Sequence, residues 1–216
     1  FHGPNALPLK RDFFRKLCYN LVLYFRYFGF PFKKSFIYNN SHCIITQIVL
    51  KLNSNFKYLG KNIKNFLKGE KISYEIDSTP INIYGTVEAE LVGGNISVLY
   101  SLLGSDIFPD TDGKILFLED LDEYLYHIDR MMTALVRAGK LDSIKGLVVG
   151  GMTKMHDNSI PFGMSAEEII LEKVRDKNIP VCFNFPAGHI DDNRALILGR
   201  KAKLSVGEKV TLDFGD

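Results

Sequence analysis

Cysteine is scarce in this sequence, which limits the disulfide bonds and zinc sites that the protein can form and bears on the redox compartment we expect for it. Only Cys18, Cys43 and Cys182 occur, too few and too scattered for a disulfide framework or a zinc site. We therefore expect a reducing compartment and no structural metal. Residues 1–4 contain neither a start methionine nor the charged region of a signal peptide, so we expect a fragment that begins within a longer protein.

Long apolar runs are also missing. The most apolar stretch, residues 17–32, is interrupted by Asn20, Arg26 and Pro31, and it falls short of the roughly 20 apolar residues that a membrane span needs. This stretch predicts a buried or interfacial helix rather than a membrane span. We accordingly expect the protein to have no membrane partner.

Acidic residues are nearly absent from the first third of the chain. Residues 1–71 hold 13 Lys or Arg against Asp12 and Glu70, whereas residues 72–216 hold 14 Lys or Arg against 23 acids. The overall composition, 46% hydrophobic and 24% charged, is that of a globular protein. The asymmetry of charge indicates two segments of different character.

Within the first of these segments, residues 9–57 interleave basic with aromatic side chains. Such mixing occurs on nucleic-acid-binding surfaces, but no RNP, helix-turn-helix or zinc-knuckle pattern accompanies it, so we expect no nucleic-acid partner. Two alternatives stay open: an inserted segment with a solvated lysine face, or AT-rich DNA translated out of place. We place the domain limits at 1–8, 9–60 and 61–216, with a basic aromatic linker or insertion in the middle.

From residue 61 onward, hydrophobic periodicity predicts alternating strands and helices. Predicted strands cover residues 83–92, 115–118, 146–150, 180–185 and 195–198, followed by a hairpin over 202–214 that turns at Gly207. Predicted helices cover residues 63–67, 96–103, 123–138 and 166–175. The order predicts an α/β fold with a mixed sheet.

Two predicted strands are followed by residues that can take part in acid–base catalysis. Glu119 follows the apolar run 115–118, and His189 follows the strand 180–185 after Gly188. Ligands of open α/β sheets bind beyond the carboxyl ends of the strands, and a buried carboxylate needs a partner. If the two side chains meet, the carboxylate can orient the imidazole as in a catalytic triad. The structural alternative is a helix-capping Glu119 and a loop His189 with its own partners.

A glycine pair precedes a predicted helix. Gly93 and Gly94 break the strand, and Asn95 is a good N-cap for the helix over 96–103. Backbone N–H groups at such a helix start suit an anion or a substrate carboxylate. The simpler interpretation is a tight strand-to-helix turn that needs glycine for its dihedral angles.

Carboxylates and histidines near residue 120 raise the question of a metal. Glu123 and His127 lie four residues apart, but no third ligand stands at a convincing spacing, and a surface hydrogen bond is favoured. Asp120, Asp122 and Glu123 do not follow the EF-hand pattern. We expect no metal and no cofactor.

The sequence offers no convincing nucleophile. It contains no Gly-x-Ser-x-Gly motif, and Ser165 is better explained as a helix cap that opens a capping box with Glu168. Cys182 lies within an apolar strand and should be an inert core thiol. His156 is expected to be solvated.

Four motifs taken together resemble the LD-carboxypeptidase family of serine peptidases, the muramoyltetrapeptide carboxypeptidases. They are Glu90-Leu91-Val92-Gly93-Gly94-Asn95, Asp112-Gly113-Lys114-Ile115-Leu116-Phe117-Leu118-Glu119-Asp120, Ile128-Asp129-Arg130-Met131 and Phe185-Pro186-Ala187-Gly188-His189. They occur in the family's order, over roughly residues 61–210. Residues 1–4 also resemble the segment that ends the family's N-terminal domain.

The resemblance implies a Ser-His-Glu triad in which Glu119 is the orienting acid and His189 the general base. It implies a swivelling-type C-terminal domain with a mixed sheet, and a nucleophilic serine in an N-terminal domain that is missing here. Gly93, Gly94 and Asn95 would help to bind substrate. The implied reaction removes the terminal D-alanine from muropeptide tetrapeptides during peptidoglycan recycling, by a cytoplasmic, metal-free homodimer.

Two rivals remain. One is the family's antibiotic-immunity branch, which cleaves a peptide-nucleotide. The absence of tryptophan for stacking a base argues mildly against that branch. The other rival is a truncated family member that folds without catalysing a reaction.

Overall fold

The computed structural model of this chain describes residues 71–215, which form one seven-stranded sheet with three α-helices. The strands are β1 (Ile72–Asp77), β2 (Gly85–Asn95), β3 (Ile115–Leu121), β4 (Gly146–Thr153), β5 (Val181–Cys182), β6 (Lys201–Val206) and β7 (Lys209–Phe214). The helices are α1 (Ile96–Leu102), α2 (Leu125–Arg137) and α3 (Ala166–Val174), and a short 3₁₀ turn follows α3. Within this range, none of the helices combines the length and hydrophobicity needed to cross a membrane.

The sheet is mixed, as the sequence predicts, in the order β1-β7-β6-β2-β3-β4-β5. Strands β2, β3, β4 and β5 run parallel, whereas β1 pairs with β7, β7 with β6 and β6 with β2, each time antiparallel. The long β2 joins the two halves, since Gly85–Glu90 pairs with β6 and Leu91–Asn95 pairs with β3. The carboxyl ends of the parallel strands therefore meet at one edge of the sheet, where α/β folds place their ligands.

The hydrophobic core lies on both faces of this sheet. One cluster packs the three helices against the sheet and includes Met132 and Leu147, whereas the other includes Phe185 and Leu204. Every residue of β3 from Ile115 to Asp120 is buried. A continuous apolar run is the pattern expected for a strand covered on both faces, so the prediction for residues 115–118 is confirmed.

Several strands are longer than predicted. Strand β2 does not break at the glycine pair but continues to Asn95, because Gly93 and Gly94 stay in register with Phe117 and Leu118. Strand β3 continues to Leu121, so Glu119 and Asp120 lie within the strand rather than after it. Periodicity placed these ends too early because glycines and carboxylates usually interrupt strands.

Other strand predictions were wrong. Residues 195–198 form no strand, although Leu196, Ile197 and Leu198 are buried in the second core cluster. The strand predicted over 180–185 shortens to Val181–Cys182, and β1 was not predicted at all. A short buried apolar run does not reveal whether its backbone pairs with a neighbour, because burial alone satisfies its side chains.

The hairpin and the three helices are confirmed within a few residues. Gly207 lies between β6 and β7, and Gly139, with a positive φ of 69°, follows α2 as a glycine terminator does. The predicted helix over 63–67 and the segment 9–60 lie outside the described residues. The proposed domain limits therefore stay a prediction.

Candidate functional site

Glu119 and His189 meet at the carboxyl edge of the sheet. The Nδ1 of His189 lies 2.7 Å from Oε2 of Glu119, although the two residues are 70 apart in the sequence. The Glu119 side chain is 1% exposed, whereas that of His189 is 23% exposed. Because a carboxylate can only accept, this contact makes Nδ1 the protonated nitrogen and Nε2 the basic nitrogen of the neutral ring. The pair thus has the geometry of the acid and base of a triad.

Gly188 makes this approach feasible. Its φ is 102°, a conformation that side chains rarely adopt, and a Cβ there would lie 2.7 Å from Oε2 of Glu119. Any larger residue would push the loop away from the carboxylate or displace the carboxylate itself. The glycine before the histidine is therefore a steric requirement of the pair.

The loop that carries His189 is fixed to the end of β4. Phe185 N donates to Val149 O at 3.0 Å, and Gly151 N donates to Ala187 O at 2.9 Å. A Cβ on Gly151 would come within 2.3 Å of the Ile190 side chain, so the loop packs directly on bare backbone. This role of Gly151 was not predicted, although the Gly-Gly pair at residues 150–151 was an available signal.

A small cavity of about 20 Å³ lies beside the same carboxylate. It is bordered by Phe117, Glu119, Ala187, Gly188, Asn193, Arg194, Leu196 and Leu198. Among the described residues, Oε1 of Glu119 is the one buried side-chain polar atom that accepts no hydrogen bond. This cavity has room for about one water molecule, so it cannot hold a peptide substrate.

Asp120, the neighbour of Glu119, has different hydrogen-bond partners. Its carboxylate is 2% exposed and accepts hydrogen bonds from Asn95 Nδ2 at 2.8 Å and from Ser97 N at 3.0 Å. Burial raises the pKa of this carboxyl, and the hydrogen bonds from Leu121 N, Asn95 and Ser97 oppose that rise. Asp120 therefore ties the end of β3 to the start of α1.

The start of α1 is already occupied by protein groups. Oδ1 of Asn95 accepts from Val98 N at 3.1 Å, which confirms the predicted N-cap, and also from the Ser97 hydroxyl at 2.6 Å. Asp120 accepts the N–H of Ser97, so two of the backbone donors at the helix start, Ser97 N and Val98 N, have partners within the fold. Gly93 packs against β3, since a Cβ there would lie 2.0 Å from Phe117 O. Substrate binding by Gly93, Gly94 and Asn95 stays a prediction.

Two acid–imidazole pairs follow β3. His127 Nδ1 lies 2.9 Å from Glu123 Oε2, the hydrogen bond that the sequence favoured over a metal pair. His156 is exposed, as expected, and its Nε2 also lies 2.6 Å from Asp122 Oδ1, a partner that the sequence did not predict. In residues 71–215 no three His, Cys, Asp or Glu side chains are grouped where they could hold a metal ion.

The remaining candidates have structural roles. Ser165 accepts from Glu168 N at 3.2 Å and donates its own N–H to Glu168 Oε2 at 2.7 Å, which confirms the capping box. Cys182 is fully buried, and burial raises the pKa of its thiol to about 12. A thiol with that pKa is protonated at neutral pH and is a poor nucleophile, as predicted.

Comparison with known proteins gives a family for this fold and site. The family model described as the LD-carboxypeptidase C-terminal domain matches residues 88–204, a range that contains both Glu119 and His189. A solved structure of muramoyltetrapeptide carboxypeptidase from Oxalobacter formigenes aligns with a TM-score of 0.67 and 30% identity, over 74% of this chain and 55% of that one.

Curated relatives agree with this match. "Probable murein peptide carboxypeptidase" of Bacillus subtilis is 34% identical over 155 residues, which are 69% of this chain and 47% of that protein. The microcin C7 self-immunity protein of Escherichia coli is 28% identical over 128 residues, 58% of this chain and 36% of that protein. The chain thus spans about half the length, or less, of the curated relatives it matches.

Proposed function

Because the chain belongs to the LD-carboxypeptidase family, whose C-terminal domain it carries, we propose that the protein removes the terminal D-alanine from muropeptide tetrapeptides. The observation that carries the proposal is the 2.7 Å contact between His189 Nδ1 and buried Glu119 Oε2 within the matched range. Relatives described as murein peptide and muramoyltetrapeptide carboxypeptidases support this substrate class.

His189 acts as the general base in this proposal. Glu119 holds the imidazole with its proton on Nδ1, so Nε2 can accept the proton of a serine hydroxyl. The serine oxygen attacks the carbonyl carbon of the bond to D-alanine, and the imidazolium then protonates the leaving amine. Water hydrolyses the acyl-enzyme after the same base activates it, which restores the serine. The buried carboxylate stabilises the imidazolium that forms in each half-reaction.

The serine itself is proposed to come from outside residues 71–215, since the resemblance places it in another domain of the family. Ser165, the nearest sequence match to a nucleophile motif, is engaged in its capping box. The cytoplasmic location and the homodimer implied by the resemblance are part of the same proposal. The second candidate substrate is a peptide-nucleotide, which the 28% identity to the self-immunity protein favours.

The deciding experiment measures D-alanine released from a muramoyl tetrapeptide by the full-length protein. We expect His189→Ala and Glu119→Gln each to lower kcat by about 10⁴-fold, the scale of losing the base or its correct tautomer. The fold should be unchanged by circular dichroism, because His189 is partly exposed and Gln preserves the shape of Glu119.

Glu90→Gln is the matched control. Glu90 forms a partly exposed ion pair with Lys114 at 2.6 Å, so its loss should leave kcat within about twofold, as for other surface pairs. Normal D-alanine release by folded His189→Ala would refute His189 as the base. A full-length protein that cleaves only the peptide-nucleotide would transfer the assignment to the immunity branch.

A further inference from the structure

A group of rings gathers around Tyr124, which follows the end of β3 in the chain, and has no part in the chemistry described above. We call Tyr124, Tyr126, His127 and His156 the aromatic shelf. We propose that this shelf binds the sugar ring of a muramoyl peptide, an inference that rests on the proposed function. The shelf would then recognise the end of the substrate farthest from the bond that is cut.

The rings of the shelf form one connected surface. Tyr124 stands at its centre, with ring centroids 5.5 Å from Tyr126, 6.0 Å from His127 and 5.3 Å from His156. The rings of Tyr126 and His127 lie 4.3 Å apart. Tyr124 is 39% exposed, and the side chains of His127 and His156 are 36% and 47% exposed. Aromatic area is therefore presented to solvent rather than buried in the core.

Hydrogen bonds hold the two imidazoles of the shelf in place. Carboxylates hold both imidazoles, Glu123 binding His127 and Asp122 binding His156. His156 also joins the backbone, because its N–H donates to Glu123 O at 2.8 Å and its carbonyl accepts from Leu125 N at 2.9 Å. A surface fixed in this way loses little conformational entropy on binding.

The chemistry of the shelf suits a pyranose. The face of an aromatic ring carries partial negative charge, which attracts the weakly positive C–H groups on one face of a sugar. Carboxylates of Asp122 and Glu123 beside the rings can accept hydrogen bonds from sugar hydroxyls. Although the ring planes are inclined to one another by 41–77°, each exposed ring offers apolar surface beside polar groups, the usual make-up of a small-molecule site.

The separation along the chain between Glu119 and the shelf is comparable with the length of the substrate. Tyr124 follows Glu119 by five residues, so it lies at most about 17 Å along the chain at about 3.4 Å per residue. A four-residue peptide in extended form spans about 14 Å on the same scale. In a muramoyl tetrapeptide the sugar is at the amino end and the bond to be cut is at the carboxyl end. The two lengths are comparable, so an extended tetrapeptide has about the length needed to place its sugar at the shelf when the last bond lies at His189.

Two substrates separate the shelf from the catalytic pair: a muramoyl tetrapeptide and the same tetrapeptide without sugar. In the full-length protein we expect Tyr124→Ala to lower kcat/KM for the sugar-bearing substrate about tenfold, the scale of one aromatic stacking contact, through KM. The sugar-free peptide should be cleaved as by wild type. Tyr124→Phe, which keeps the ring, should behave like wild type on both substrates.

Tyr84→Ala is the matched control, because Tyr84 is 63% exposed and does not belong to the shelf. Tyr124→Leu preserves apolar bulk without a flat ring and serves if the alanine variant does not fold. Equal losses on both substrates, or no loss on either, would overturn the proposal. Equal losses would be expected if another part of the protein packs on the shelf.

The proposed function can fail separately. If wild-type protein releases no D-alanine from either peptide, the reaction is refuted but the shelf can still be tested. Calorimetric binding of the sugar-bearing and sugar-free peptides should then show a preference for sugar that Tyr124→Ala removes. No preference in the wild type would refute the shelf as a sugar site.

Discussion

Glu119 and Asp120 are adjacent carboxylates with opposite surroundings. Successive side chains of a strand point to opposite faces, so Glu119 meets His189 while Asp120 meets Asn95 and the start of α1. One carboxylate therefore holds the His189 imidazole and its neighbour anchors a helix. Both residues are acidic, so residue type alone does not tell their roles apart. The alternating direction of side chains along the strand does.

Gly188 packs directly against the Glu119 carboxylate. We expect Gly188→Ala to lower kcat for D-alanine release by more than about 100-fold, because misplacing a catalytic group by about 1 Å costs that much. Its Cβ would meet Glu119 Oε2 at 2.7 Å and would also strain a backbone with φ of 102°. The measurement is steady-state kinetics with the unfolding midpoint as a check on the fold.

Gly207→Ala is the control for this change, since the nearest atom to its added Cβ is Lys209 O at 3.7 Å. That variant should retain wild-type kcat. If Gly188→Ala is folded and equally active, the close packing between loop and carboxylate is not required for catalysis.

Among the elements, α3 has the best-defined beginning. Ser165 and Glu168 satisfy each other's backbone N–H groups, and the helix then buries Ala166, Ile169, Ile170 and Val174. This local signal is complete within four residues, which is why the sequence predicts it correctly. Strand ends lack such a signal because their partners are distant in sequence.

Ser165→Ala should lower the free energy of unfolding by about 1 kcal/mol, the usual cost of losing an N-cap side chain. Urea denaturation followed by far-UV circular dichroism measures the change. Ser101→Ala is the comparison, because Ser101 Oγ donates to Val98 O on the exposed side of α1 and caps no helix start. A loss no larger than that of Ser101→Ala would show that the capping box contributes little to stability.

At the scale of the whole described region, one sheet carries two cores. Met132 belongs to the helix-covered face and Leu204 to the other, and both side chains are fully buried. The two clusters share the backbone of the same strands. Disrupting the packing on either face would therefore expose the sheet against which the cluster on the other face packs.

We expect Met132→Ala and Leu204→Ala each to lower the free energy of unfolding by about 2–5 kcal/mol, the range for emptying a core position. Unfolding of the described region should stay a single transition in urea, because both faces depend on one sheet. Val98→Ala, at a 53% exposed position, should change stability by less than about 0.5 kcal/mol. Separate transitions for the two faces would contradict a shared sheet.

The sequence by itself determined the features with local causes. The Asn95 and Ser165 caps, the stripe of α2, the hairpin around Gly207 and the buried run of β3 depend on residues within a few positions of each other. The family motifs also identified Glu119 and His189 as partners. Their 2.7 Å contact agrees with that prediction.

Only the tertiary structure decided what depends on neighbours distant in sequence. Strand β2 continues through Gly93 and Gly94 because these residues pair with Phe117 and Leu118 of β3. Residues 195–198 stay irregular because they pack in the core without pairing with a strand. The same holds for Gly151 beneath the His189 loop and for His156 beside Tyr124. The partner of such a side chain depends on which distant segment the folded chain brings beside it. A local sequence pattern carries no information about that segment.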